Sequence, residues 1–187
     1  MLEERQSRRA CDVRPRLHLK VSDLIAEFLA KHVRHVFTVS GGADLHLIHS
    51  IWKTNVKLIC PQNEQAASFA ADAYARLHGL GVALATSGPG ATNLVTGIAS
   101  SFYDSVPVLY ITGNQTVGRM ETFGTRQYGF QATPIVEIVR EITKAAFTIM
   151  QPHLVAGALE EAVRIAKSGR PGPVLLDFPD DVQRSIV

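Results

Sequence analysis

A chain of 187 residues, 46% hydrophobic and 19% charged, has ordinary globular composition and enough length for one domain with a sizeable core, which excludes disordered and collagen-like chains. Its formal charge of +2 is small, and the arginines behind it (Arg5, Arg8, Arg9, Arg14, Arg16) sit among Glu3, Glu4 and Asp12 with no aromatic residue before Phe28, which argues against a nucleic-acid or membrane arm. No apolar run approaches the roughly 18 residues of a membrane span, and the N-terminus lacks the apolar centre of a signal peptide.

In chain order, residues 1–19 read as a solvated, disordered basic tail. Val21 to Val33 places apolar residues at helical spacing, with Ser22 and Asp23 suited to a first turn. His35 to Val39 is a short strand that runs into Ser40-Gly41-Gly42, a turn that favours small residues. Asp44 to Trp52 reads as a helix, Val56 to Cys60 as a strand, and Asn63-Glu64-Gln65 opens an Ala-rich helix that Gly79 and Gly81 end. The stretch from Gly81 to Gly113 then reads as a βαβ unit. Val82 to Ala85 forms a strand, Ser87-Gly88-Pro89-Gly90 a turn, the following apolar-periodic segment a helix of about four turns, and Val106 to Ile111 a second, parallel strand. Asn114 to Thr133 is a loop of about 20 residues, a length usually functional or mobile. Pro134 to Glu141 reads as helical, Ala145 to Met150 as extended, Leu154 to Lys167 as helical, and Pro173 to Phe178 as the last strand. Six strands alternating with helices predict an α/β fold: a doubly wound, mostly parallel six-stranded sheet with helices on both faces. The domain is expected to cover residues 20–187. Cys11 and Cys60 form neither a metal-ligand spacing nor a disulfide framework, so a cytoplasmic protein with free thiols is expected.

The Gly-rich turn falls at the carboxyl edge of the predicted sheet, where open α/β folds bind ligands. Gly88 to Asn93 resembles a phosphate-cradling loop, yet it matches neither the dinucleotide fingerprint nor a P-loop. Ligand binding and a structural turn both stay open at this point. Glu64 has two readings as well. A glutamate at a helix start is worth about 0.3–1 kcal/mol for the helix alone. Alternatively it is a carboxyl at the sheet edge, flanked by Ala66, Ala67 and Phe69, whose partial burial suits proton transfer. His46 and His49 have helical spacing for a metal pair but lack a third ligand nearby, and Ser87 lacks the Gly-x-Ser-x-Gly context of a hydrolase, so no metal site and no hydrolase are expected.

Five stretches carry a resemblance: FTVSGGA (37–43), NEQAASFAADAY (63–74), LATSGPGATNLVTGIA (84–99), DSVPVLYITG (104–113) and GRPGPVLLDFPDDV (169–182). In this order and spacing they resemble the N-terminal pyrimidine-binding domain of thiamine diphosphate enzymes, and most closely those of acetolactate synthase type. The resemblance implies that Glu64 hydrogen-bonds a ring nitrogen of the cofactor's aminopyrimidine, favouring the imino tautomer that activates the thiazolium carbon. It implies that Gly41, Gly42, Pro89, Gly90 and Asn93 line the same ring and that Phe130 and Gln131 face cofactor and substrate. The substrate would be a small 2-oxo acid, with FAD as an optional further cofactor.

The pattern is departed from at Ser40, where a proline is usual, at Asn63, where many relatives have histidine, and at Ala132, where an acidic residue often follows Phe-Gln. The family's Gly-Asp-Gly motif, which holds Mg²⁺ in a separate diphosphate-binding domain, is absent from these 187 residues. The expectation is therefore a fragment or stand-alone half, silent alone, that pairs with that domain and forms a homo-oligomer, expected to be a dimer. Other 2-oxo acid decarboxylases, carboligases of sugar-derived substrates and a non-catalytic interaction module of the same fold are the alternatives.

Overall fold

The computed structural model describes residues 19–120 and 125–187, so residues 1–18 of the expected tail and residues 121–124 of the long loop lie outside the described residues. The elements in order are α1 (Val21–His32), β1 (His35–Val39), a 3₁₀ turn (Gly42–Asp44), α2 (Leu45–Trp52), β2 (Lys57–Ile59), α3 (Glu64–His78), β3 (Gly81–Ala85), α4 (Pro89–Asn93), α5 (Val95–Tyr103), β4 (Val108–Asn114), α6 (Val117–Met120), α7 (Ile135–Val139), β5 (Ala145–Thr148), α8 (Val155–Lys167), β6 (Val174–Pro179) and α9 (Asp180–Arg184), with 3₁₀ turns at Arg140–Ile142 and Pro152–Leu154.

Every residue of β3, β4 and β6 is buried, as expected of strands covered on both faces. Alternation along them divides the core in two. Val82 and Leu84 of β3, Leu109 and Ile111 of β4, and Val174, Leu176 and Phe178 of β6 pack with α1, α2 and α8. Ala83, Ala85, Val108, Tyr110 and Leu175 point the other way, against α3, α4, α5 and α7. The six strands pair in the order β2-β1-β3-β4-β6-β5, and every pairing is parallel, so the expected sheet is present and wholly parallel.

Three expectations are corrected in detail. The helix after the Gly-rich turn is not continuous: the Leu94 N–H turns to the Ala91 carbonyl at 3.1 Å, an i→i−3 bond that tightens the chain and separates α4 from α5. The strand expected from Val106 begins at Val108, because Pro107 has no N–H for the ladder, and it runs on through Asn114 because Thr112, Gly113 and Asn114 pair with Asp177, Phe178 and Pro179. The expected loop after residue 114 contains α6, and α9 follows β6, where the sequence reading places no helix. Leu19 and Val187 exchange two backbone hydrogen bonds of 3.0 and 2.9 Å, joining the first and last described residues.

α3 shows how sequence sets local structure near the site. Asn63 caps it, its side chain accepting the Ala66 N–H at 2.8 Å, and Gly79 ends it in the left-handed conformation at φ 80°. Ala67, Ser68, Ala71 and Ala75 form its buried stripe, and such small side chains bring the helix close to β3 and α5. Glu64 is thereby fixed at the first helical position, half-buried above the sheet.

Candidate functional site

The chain leaves β1 for the outer strand β2 and then crosses back over β1 to β3, so the crossovers depart in opposite directions. At such a switch point a crevice opens beyond the carboxyl ends of the two strands. Gly41 to Asp44 forms one wall, after β1, and Thr86 to Gly90 the other, after β3.

Thr86 joins the walls. Its hydroxyl oxygen accepts the Ala43 N–H at 3.1 Å, and its methyl carbon would lie 2.3 Å from a β-carbon placed on Gly41 and 2.8 Å from one placed on Gly90. A side chain at Gly90 would also stand 3.3 Å from Oε1 of Glu64. Glycine at 90 therefore leaves the glutamate's edge uncovered. Asn93, at the end of α4, donates its side-chain N–H to Oε2 of Glu64 at 2.9 Å. Glu64, Gly90 and Asn93 thus converge although 29 residues separate the glutamate from the asparagine. Pro89 is exposed at the first position of α4, where its fixed φ suits the helix, and it joins none of these contacts.

Beside this cluster lies a cavity of about 520 Å³ whose lining includes Gly42, Thr86, Asn114, Arg119, Phe130 and Gln131. Space beyond Gly42 is open, with nothing within 4 Å of a β-carbon placed there. Phe130 is 77% exposed at this cavity. Gln131 adopts φ 55°, uncommon for a residue with a side chain, and its carbonyl packs directly on Gly88.

A line of hydrogen bonds anchors that cavity to the core. Asp177 on β6 is fully buried and accepts from the Thr112 hydroxyl and the Asn114 amide at 2.7 Å each, and from the Thr148 hydroxyl at 3.1 Å. Burial pushes its carboxyl up to about 6 against these three donors. Asn114 accepts the Gln115 N–H at 2.8 Å, and the Gln115 side chain donates to the Phe130 carbonyl at 2.7 Å and accepts from Arg119 at 3.2 Å.

The structure therefore joins Glu64 to Asn93 with Gly90 beside them, sets Gly41 against the threonine that also faces Gly90, and gathers Gly42, Phe130 and Gln131 around the neighbouring cavity. Sequence reading misses Thr86, Asp44, Gln115 and Asp177. Thr86 lies just before the Gly-rich turn, and in sequence Asp177 reads as one residue of an apolar strand. Asp44 is wholly buried, its Oδ1 accepting the Gly41 N–H at 2.9 Å, and burial, with a smaller contribution from the charge of Glu64, pushes it up to about 7. Of the two histidines weighed for metal binding, His46 lies 3.7 Å from Asp180.

A half-buried carboxylate steadied by an amide, beside a glycine surface at an open crevice, fits the aminopyrimidine of thiamine diphosphate, which needs a hydrogen-bonding partner for a ring nitrogen and a surface without side chains under the ring. Comparison with known proteins agrees. Residues 19–138 match the family described as thiamine pyrophosphate enzyme, N-terminal TPP binding domain, and the chain belongs to that family. Among individual relatives, it is 44% identical over 171 residues to acetolactate synthase 2, chloroplastic, of Nicotiana tabacum, covering 90% of this chain and 25% of the relative. It is 44% identical over 170 residues to acetolactate synthase, chloroplastic, of Arabidopsis thaliana, at 89% and 25% coverage, and 44% identical over 172 residues to acetolactate synthase 2, chloroplastic, of Zea mays, at 89% and 26%. The chain thus spans about a quarter of the length of these relatives.

Proposed function

We propose that this chain is the pyrimidine-binding half of a thiamine diphosphate-dependent carboligase or decarboxylase of 2-oxo acids, of acetolactate synthase type. The observation that carries the reading is the Glu64–Asn93 hydrogen bond beside Gly90 at the switch point of the sheet. When bound, the cofactor supplies the stabilisation of a carbanion that no side chain provides. Glu64 holds a proton against the ring nitrogen, Asn93 orients the carboxylate, Gly90 leaves room for the ring, and Phe130 and Gln131 stand where a substrate would enter. Mg²⁺ and the diphosphate would be held by a diphosphate-binding domain outside these residues. FAD belongs to the reading on the likeness to acetolactate synthases alone, and flavin absorbance of the complete protein tests it. A cytoplasmic location is supported by the exposed thiol of Cys60, and cell fractionation tests it.

The deciding experiment replaces Glu64 with Gln in the complete enzyme and follows hydrogen–deuterium exchange at the thiazolium carbon of bound cofactor. Loss of a general acid–base group slows such a step by about 10²- to 10⁴-fold. Equal exchange rates at matched cofactor occupancy would remove Glu64 from the chemistry and leave it only a helix-start charge.

A further inference from the structure

The cavity of about 520 Å³ beside the Glu64 crevice carries its charge unevenly. Among the described lining residues Arg119 is the cation and Asp180 the anion, and the Asp180 carboxylate is engaged by Arg184 at 2.8 Å, with His46 at 3.7 Å. The rest of the described lining is neutral. Arg119 is held there from two sides. The Asp181 carboxylate accepts the Val117 N–H at 3.1 and 3.2 Å, which ties the start of α6 to α9, and the Gln115 side-chain oxygen accepts from the Arg119 guanidinium at 3.2 Å. Gln115 in turn packs directly on Gly129, where a β-carbon would come 2.7 Å from its Cγ and 2.8 Å from its Cδ and Oε1. Its amide nitrogen donates to the Phe130 carbonyl at 2.7 Å. One glutamine thus joins the arginine to the segment that carries Phe130 and Gln131.

We propose that Arg119 is a specificity residue that takes the carboxylate of a 2-oxo acid in this cavity, and that Gln115 positions it. This role rests on the proposed function and names the group of this chain that reads the substrate. A 2-oxo acid is an anion at neutral pH, and a cavity of this volume with a few convergent polar groups suits a small molecule. A guanidinium offers a carboxylate two parallel N–H donors, which a lysine ammonium does not reproduce. Thr86 lines the same cavity and its methyl faces Gly90, so a molecule seated against Arg119 lies beside the crevice of Glu64. The contact is made with the substrate as it arrives, so its loss raises KM and leaves kcat nearly unchanged.

The test uses the complete enzyme. Arg119 is exposed, so its substitution leaves the fold in place. Arg119→Gln should raise KM for pyruvate about 10- to 100-fold with kcat nearly unchanged, and Arg119→Lys should raise it by less. Binding without turnover is followed with oxamate, and with oxamide as its uncharged counterpart of similar shape. Wild type should prefer oxamate, and Arg119→Gln should lose the preference. A kcat that falls while KM stays unchanged, or an oxamate preference that survives Arg119→Gln, overturns the proposal. Gln115→Met removes both hydrogen bonds of the glutamine at similar length and should raise KM in the same direction, while adding nothing in the Arg119→Gln background. Full additivity of the two substitutions overturns the positioning role of Gln115. If wild type shows no exchange at the thiazolium carbon yet prefers oxamate through Arg119, the proposed function fails and the carboxylate subsite stands, so the two failures are told apart.

Discussion

Asp177 is the residue whose surroundings state most about stability. Its carboxyl is raised to about 6 from 3.8, so in the folded state it keeps a proton that the unfolded chain has already lost. The unfolded state binds fewer protons between about pH 4 and 6, and stability therefore falls as pH rises through that window and levels off above it. Asp177→Asn removes this slope, while the slope due to Asp44, which extends to about 7, stays. The substitution has a second effect, because its new N–H₂ would face the Asn114 amide and the Thr148 hydroxyl, which both donate to Oδ2 in the native chain. A buried donor set without an acceptor costs about 1–3 kcal/mol. Urea unfolding of both proteins from pH 4 to 8 should show the variant less stable by that amount near pH 4, where Asp177 keeps its proton, and the gap closing as pH rises to about 6, because only the wild type loses stability through that window. An unchanged slope would mean that Asp177 ionises freely in the folded protein.

At the scale of elements, the turn before α4 and the segment carrying Phe130 and Gln131 hold each other. Gly88 has φ 64°, a region that opposes side chains, and a β-carbon there would lie 2.4 Å from the Gln131 carbonyl oxygen. Gly88→Ala is expected to cost about 1–3 kcal/mol from the backbone alone, since φ 64° with ψ −122° is a region that residues with side chains rarely adopt, and to push the Phe130–Gln131 segment off the turn. Trypsin cleavage after the exposed Arg126 reports the second effect separately from denaturation. Destabilisation without faster cleavage would show that the segment does not depend on Gly88 for its position. The split between α4 and α5 belongs to the same scale: the helix tightens at Leu94, and Asn93, the last residue of α4, meets Glu64 of α3.

For the whole molecule, the surfaces of α3 and α5 bear on assembly. Leu77 is 81% exposed and Phe69 43%, with Tyr103 at the end of α5 68% exposed. Phe69 and Leu77 lie eight residues apart on α3, two helical turns along one side, and Arg76 between them runs ion pairs to Asp72 and Asp104 at 2.7 Å each. We expect the chain to form a symmetric dimer through this face, seen by light scattering as a concentration-dependent mass, with Leu77→Glu shifting it toward monomer. A monomer at all concentrations, or a dimer indifferent to Leu77→Glu, would place the interface elsewhere. The alternation of apolar strands with periodic helices sufficed to define the six-stranded doubly wound sheet, because strand and helix periodicities are local properties of the chain. The motifs around Glu64 and Gly88–Asn93 likewise marked the crevice, since a glutamate at a helix start and glycines at a turn are legible without knowing what lies opposite. What lies opposite was decided by tertiary structure alone. The 29 residues from Glu64 to Asn93, the 43 from Ala43 to Thr86 and the 65 from Thr112 to Asp177 are closed by strand order and helix packing. The burial of Asp44 follows from the same closure, since a carboxyl is desolvated only by neighbours that the chain brings to it from other strands.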